Sequence, residues 1–64
     1  MAITIKAARV NVGLTQEQAA KALGITRHTL ANYELGRTIP DIEMGKKIAV
    51  LYKTSVDCLI FSAN

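Results

Sequence analysis

The sequence predicts an all-α fold: a compact bundle of five short helices, organised as one domain over residues 1–64. Three observations predict it. Apolar residues recur at helical spacing rather than in strand alternation. Thr4, Thr15, Thr26 and Ser55 stand where helix N-caps are needed, and Gly13, Gly24 and Gly36 stand where helices must stop. Half of the residues are hydrophobic, mostly Ala, Ile and Leu, and only Tyr33, Tyr52 and Phe61 are aromatic. A chain of this size buries roughly 60% of the surface its unfolded form exposes, enough for one small core.

The elements follow in order. Thr4 caps a first helix through about Val12, closed by Gly13; Ile5, Ala8 and Val12 share one face, Lys6 lies off it and Arg9 borders it. Thr15 opens a second helix with a capping box, T-x-x-Q, completed by Gln18. Ala19, Ala20 and Leu23 form its inner stripe, Gly24 makes the left-handed turn, and Ile25 points back to the core. Thr26 caps a third helix with Leu30 and Tyr33 inward, ending at Glu34-Leu35-Gly36. Arg37–Pro40 is a loop, with Pro40 suited to an N-terminal helix position. A fourth helix runs from about Asp41 to Lys53 with Ile48, Leu51 and Tyr52 inward. Ser55 caps a short fifth helix with Val56, Leu59 and Ile60 inward.

Composition narrows the function. A net charge of +3 and a pI near 9.4 bias the chain toward anionic partners. Three aromatics do not make a stacking platform for single-stranded nucleic acid. With Cys58 and His28 each alone of their kind, neither an intrachain disulfide nor a His/Cys zinc cluster is available, and no cofactor is expected. No Ser, Cys or carboxylate is placed to form a triad with His28, so no enzyme is expected. MAITIKAARV lacks a signal-peptide pattern, and the apolar runs fall far short of the ~18 residues of a membrane span. The expected setting is reducing and cytoplasmic.

The informative segment is LTQEQAAKALGITRHTLANYELGR, Leu14 to Arg37. Ala20, Gly24 and Leu30 have the spacing of two helices held steeply across a tight turn: a small residue at the approach, a glycine at the turn and a branched anchor in the second helix. On the outer side of that second helix lie His28, Ala31, Asn32 and Leu35, at i, i+3, i+4 and i+7. Arg27 stands in the first turn, where a cation opposes the helix dipole by roughly 0.3–1 kcal/mol; the position makes sense if Arg27 reaches outward to a phosphate or a guanine edge. Arginine pairs with guanine, asparagine with adenine, and a small alanine touches a thymine methyl. The plainer alternative is a solvated helix face, and for His28 an exposed neutral imidazole. Glu34, in the last turn, sits at the unfavourable end for an anion. Its expected partner is Arg9, either as a partly buried pair orienting helix 3 on helix 1 or as two solvated charges worth little.

The run L-T-Q, then A-A, L-G-I-T, E-x-G and P resembles the phage repressor and Cro-like (XRE-type) helix-turn-helix transcriptional regulators, over nearly the whole chain from Ile5 to Phe61. The resemblance implies a five-helix, lambda-repressor-like DNA-binding domain, with the motif over residues 16–35 and a recognition helix at 26–35 in the major groove. It implies that Gln16, Arg37 and Thr38 contact DNA phosphates, that Arg27, His28 and Asn32 read bases, that Thr29 touches the backbone or a base, and that Arg9 and Glu34 form a structural ion pair. Two departures stand out. Gly45 replaces a large apolar residue in helix 4, leaving a gap for Met44 to fill. Tyr52 replaces an aliphatic, and its hydroxyl is expected to find a partner at the rim.

The expected function is sequence-specific binding to a double-stranded DNA operator as a homodimer, with no membrane and no small-molecule ligand, as a repressor or Cro-like regulator standing alone or cut from a longer one. For the dimer surface, Val50 and the Cys58–Phe61 run are open to two readings, a partner patch or simple core packing. The alternative function is an antitoxin-like or other protein-interaction module built on the same fold.

Overall fold

Each of the four α-helices begins on a short polar side chain that accepts from an otherwise orphaned backbone N–H, whereas Ser55, expected to cap a fifth helix, makes no such bond and donates to Cys58 Sγ instead. In the computed structural model, which describes residues 2–61, Thr4 Oγ1 accepts from Ala7 N at 3.1 Å and starts α1 (Ile5–Asn11). Thr15 and Gln18 form the reciprocal capping box at 3.0 and 2.9 Å and start α2 (Gln16–Leu23). Thr26 Oγ1 accepts from Thr29 N at 3.1 Å to start α3 (Arg27–Leu35). Asp41 Oδ1 accepts from Met44 N at 2.8 Å to start α4 (Ile42–Leu51). Pro40 therefore lies before the cap residue, outside the helix, and is buried there instead of occupying the first helical turn.

The helices also end alike. After each, one residue turns left-handed, and the next N–H reaches five residues back to close a Schellman motif. The left-handed residues are Gly13, Gly24, Gly36 and, after α4, Lys53 at φ 57°. The closing bonds are Leu14 N to Arg9 O, Ile25 N to Ala20 O, Arg37 N to Asn32 O and Thr54 N to Ala49 O. At Gly24 this geometry sends Ile25 back against the core, and only three residues separate α2 from α3.

Ile5, Leu30 and Ile48 are fully buried at the centre, each worth roughly 1.5–3 kcal/mol of apolar burial. Ala8, Ala19, Ala20 and Ala49 are buried around them. Their small side chains let α1, α2 and α4 close on Leu30 of α3. Leu23, Tyr52 and Leu59 complete the cluster.

The expected fifth helix is instead one 3-10 turn, Val56–Cys58, followed by the two-residue strand β2 (Leu59–Ile60). Strand β2 pairs in parallel with β1 (Ile3–Thr4), Ile3 opposite Leu59 and Thr4 opposite Ile60. The physical reason is length and composition: a few residues cannot nucleate a stable helix in isolation, and β-branched Ile3, Thr4 and Ile60 favour extended pairing. Only Leu59 of the three expected inward residues is buried; Val56 is 41% and Ile60 39% exposed.

Two further expectations about packing change. The space above buried Gly45 is taken by the Phe61 ring: a Cβ at Gly45 would meet Phe61 Cζ at 3.6 Å. Phe61, not Met44, fills this gap. The Tyr52 hydroxyl finds no rim partner. The residue is 3% exposed, and among the described residues its oxygen has no hydrogen-bond partner. As the C-cap of α4, Tyr52 is aimed inward with the packed core, and its ring is buried to the tip.

Candidate nucleic-acid interface

The outer side of α3 is presented to solvent because its inner side is spent on Leu30 and Tyr33. Arg27 and His28 are exposed in the first turn, beyond the Thr26 cap. Thr29 is half-buried, and its hydroxyl shares a 2.9 Å hydrogen bond with that of Thr26, which stiffens the entry to the helix. Ala31 and Asn32 are half-buried one turn on, and Leu35 is 56% exposed at the far end. Arg37 and Thr38 follow, both exposed, with their backbone N–H groups directed to the Asn32 carbonyl at 2.9 and 3.5 Å. The loop start is thus fixed by backbone bonds, while its side chains are uncommitted. Among the described residues, no side-chain hydrogen bond engages Arg27, His28, Asn32, Arg37 or Thr38.

Beneath this face lies a polar cluster that crosses the bundle. Arg9 Nε donates to Glu34 Oε2 at 2.7 Å, and Arg9 Nη2 reaches Glu34 Oε1 at 3.5 Å. Arg9 Nη1 donates to the Leu14 carbonyl at 2.7 Å. The two side chains are 9% and 4% exposed, so the pair joins α1 to α3 in a desolvated setting rather than at the surface. The same two charges act on the Tyr52 phenol. Burial pushes its pKa up to about 12, the Glu34 carboxylate reinforces the shift, and the Arg9 guanidinium opposes it.

Gln16 is the link between this cluster and the surface. It is the first residue of α2, half-buried, and its Nε2 donates to Glu34 Oε1 at 2.9 Å. One amide hydrogen and the amide oxygen remain for other partners. The sequence carried no sign of this bond: the two residues lie 18 positions apart on different helices, and only the crossing of α2 over α3 joins them. Equally silent was Lys47, whose Nζ donates to the Leu23 carbonyl at 3.0 Å and so satisfies the end of α2 from α4.

The structure therefore brings Arg27, His28, Thr29 and Asn32 together on one helix, with Arg37 and Thr38 in the loop directly after it and Gln16 at the start of the adjoining helix. The set offers guanidinium, amide, hydroxyl and imidazole groups on a capped, internally braced scaffold. Such groups suit hydrogen bonding to anions and base edges. Among the described residues, no helix is long and apolar enough to cross a membrane.

Comparison with known proteins agrees with this geometry. A family model described as helix-turn-helix matches residues 5–57. The HTH-type transcriptional regulator ImmR of Bacillus subtilis is 39% identical over 56 residues, covering 88% of this chain and 44% of ImmR. The SPbeta prophage-derived regulator YonR of the same organism is 34% identical over 88% of this chain and 52% of its own length. An uncharacterised HTH-type transcriptional regulator of Archaeoglobus fulgidus is 34% identical over 62 residues, 95% of this chain and 87% of that protein. The chain thus spans about half the length of the two Bacillus relatives. No solved structure matches. With a family model covering most of the chain and laid over α1 to the 3-10 turn, this protein belongs to the XRE-type helix-turn-helix family.

Proposed function

We propose that this chain is a sequence-specific double-stranded DNA-binding regulator of transcription, a repressor or Cro-like protein that docks α3 in the major groove. The observation that carries the reading is the uncommitted polar face of α3. Arg27, His28 and Asn32 lie on a helix fixed at both ends and pinned from below by Glu34. In this reading Arg27, His28 and Asn32 meet base edges, Thr29 a base or the backbone, and Gln16, Arg37 and Thr38 meet phosphates. Phosphate contacts set affinity and register, and base contacts set sequence. The names of the relatives, HTH-type transcriptional regulators, support it.

A module with so few base contacts needs two half-sites roughly 34 Å apart for tight binding. A homodimer supplies them. The surface best suited to join two copies is the apolar patch of Ile39, Ile42, Val56 and Ile60, which are 67%, 77%, 41% and 39% exposed. Ile42 and Val56 line a groove of about 300 Å³ together with Pro40, Gly45 and Phe61. The domain measures 26 × 23 × 20 Å between Cα extremes. Adding one side-chain layer of about 8–10 Å between two such bodies puts their centres roughly 28–36 Å apart, a range that includes the half-site spacing.

Selection of bound duplexes from a random pool, followed by fluorescence anisotropy on the selected site, tests the proposal. Affinity is expected to fall steeply with salt. Asn32→Ala should relax sequence preference, whereas Arg37→Ala should weaken all sequences alike. Failure to enrich any duplex at low salt would overturn DNA binding. Strictly monomeric sedimentation with and without the selected site would overturn the dimer.

A further inference from the structure

The second apolar surface lies on the other flank of α4 and shares no residue with the DNA-contact set. Ala22 and Leu23 of α2 and Val50 and Leu51 of α4 floor a shallow groove of about 410 Å³. Val50 is 79% exposed, the most exposed large hydrophobic residue among those described. With exposed Ala22 and half-buried Leu51 lining the same groove, Val50 belongs to a contiguous apolar surface, the kind of exposure that marks an interaction site.

The rim specifies the occupant. Lys46 and Lys47 border the groove, with Glu43 as the single carboxylate. Lys47 is held in place: its Nζ is anchored on the Leu23 carbonyl at 3.0 Å, and two of its three N–H donors remain for a partner. All five lysines of the chain, Lys6, Lys21, Lys46, Lys47 and Lys53, lie outside the proposed DNA contacts, whose cations are Arg27 and Arg37. Much of the positive charge is therefore placed where the DNA reading does not use it. Apolar floor with basic rim is complementary to an amphipathic helix whose polar face is acidic. A phosphate backbone would use the ammonium groups and leave Val50 and Leu51 without a counterpart.

We propose that the α2–α4 groove is a docking site for an acidic amphipathic helix of a partner protein, open while α3 is on DNA. The partner helix would set apolar side chains one turn apart against Val50 and Leu51, and carboxylates against Lys46 and Lys47. That the lysines are free for a partner and that the groove stays open on DNA both rest on the DNA reading above.

The test uses the full chain, ¹⁵N-labelled, titrated with a stapled helical peptide bearing leucines at i, i+4 and i+7 and glutamates elsewhere. A second peptide has lysines in place of the glutamates. Saturable shifts are expected for the acidic peptide alone, confined to the C-terminal half of α2 and to α4, and retained when the selected duplex is bound. Val50→Asp and Lys46→Glu should each weaken peptide binding at least about tenfold. These are exposed positions, and unchanged spectra elsewhere will report an intact fold. The proposal is overturned by no saturation up to about 1 mM peptide, by equal binding of the lysine peptide, or by shifts centred on α3. It is also overturned if the duplex itself moves the Val50 and Lys46 signals, which would assign the lysines to DNA.

Discussion

Replacing Arg9 by Met, Glu34 by Leu, and both at once tests whether the buried pair sets the pose of α3. Arg9→Met removes three hydrogen bonds, two to Glu34 and one to the Leu14 carbonyl. It leaves a carboxylate that is 4% exposed with only Gln16 as donor. Breaking a buried pair from one side costs about 3–5 kcal/mol. At roughly 0.05–0.15 kcal/mol per residue, a domain of this length holds only about 3–10 kcal/mol in total, so Arg9→Met should be at the edge of folding. Glu34→Leu should cost about 3 kcal/mol, at the lower end, because the guanidinium keeps its bond to Leu14 and its long stem can carry the head toward water. The double variant should recover most of the loss, leaving about 1 kcal/mol for the abandoned Leu14 carbonyl. Urea unfolding followed by far-ultraviolet circular dichroism measures all four proteins. Single losses of under about 1 kcal/mol that add within about 0.5 kcal/mol would refute the reasoning, because they are what solvated, independent charges produce.

Other consequences follow from the same packing. Tyr52→Phe should stabilise the protein by about 1 kcal/mol, since it removes a buried hydroxyl without a partner; a loss of stability of that size would show that the hydroxyl is bonded. The folded state holds the Tyr52 proton to about 12 against 10.0 for the free phenol. Unfolding therefore releases a proton in that window, and stability falls as pH rises through it. Urea midpoints compared between about pH 9 and about pH 11 should drop more for the wild type than for Tyr52→Phe. Gly45→Ala should raise the melting temperature, by about 1 kcal/mol of stability, because the new methyl meets Phe61 at ordinary contact distance. Thr26→Ala should cost about 1 kcal/mol and weaken binding to the selected duplex beyond what stability explains, since the lost cap frees the first turn of α3 that carries Arg27 and His28; unchanged affinity would separate the cap from recognition.

The sequence disclosed what is decided locally. Thr4, Thr15 with Gln18, and Thr26 announce their caps because the donors they satisfy lie within three residues. Gly24 and Gly36 announce turns that need a left-handed residue. The pairing of Arg9 with Glu34 was readable through the family resemblance and the electrostatic need of a carboxylate at a helix C-terminus. What stayed hidden depends on tertiary placement. The parallel pairing of Ile3 with Leu59 is set by how the bundle brings distant segments side by side. Phe61 over Gly45, Gln16 on Glu34 and Lys47 on the Leu23 carbonyl are likewise meetings between elements, with no local signal. The burial of the Tyr52 hydroxyl is hidden for the same reason: the depth of a C-cap residue is a property of the assembled core. For the candidate interface, the residue types and their shared face were readable, and the bracing beneath them was not.

The strand pair has a mechanical consequence. Because β1 and β2 run parallel, opposed pulls at residue 2 and residue 61 would slide one strand along the other rather than peel them apart. The slanted, evenly spaced bonds of a parallel ladder then share the load. The clamp is short, two residues on each side, yet it stands between any tension on the ends and the start of α1, the helix that carries Arg9. Tethering the molecule by its ends would transmit force to the seat of α3 only after this clamp had slipped.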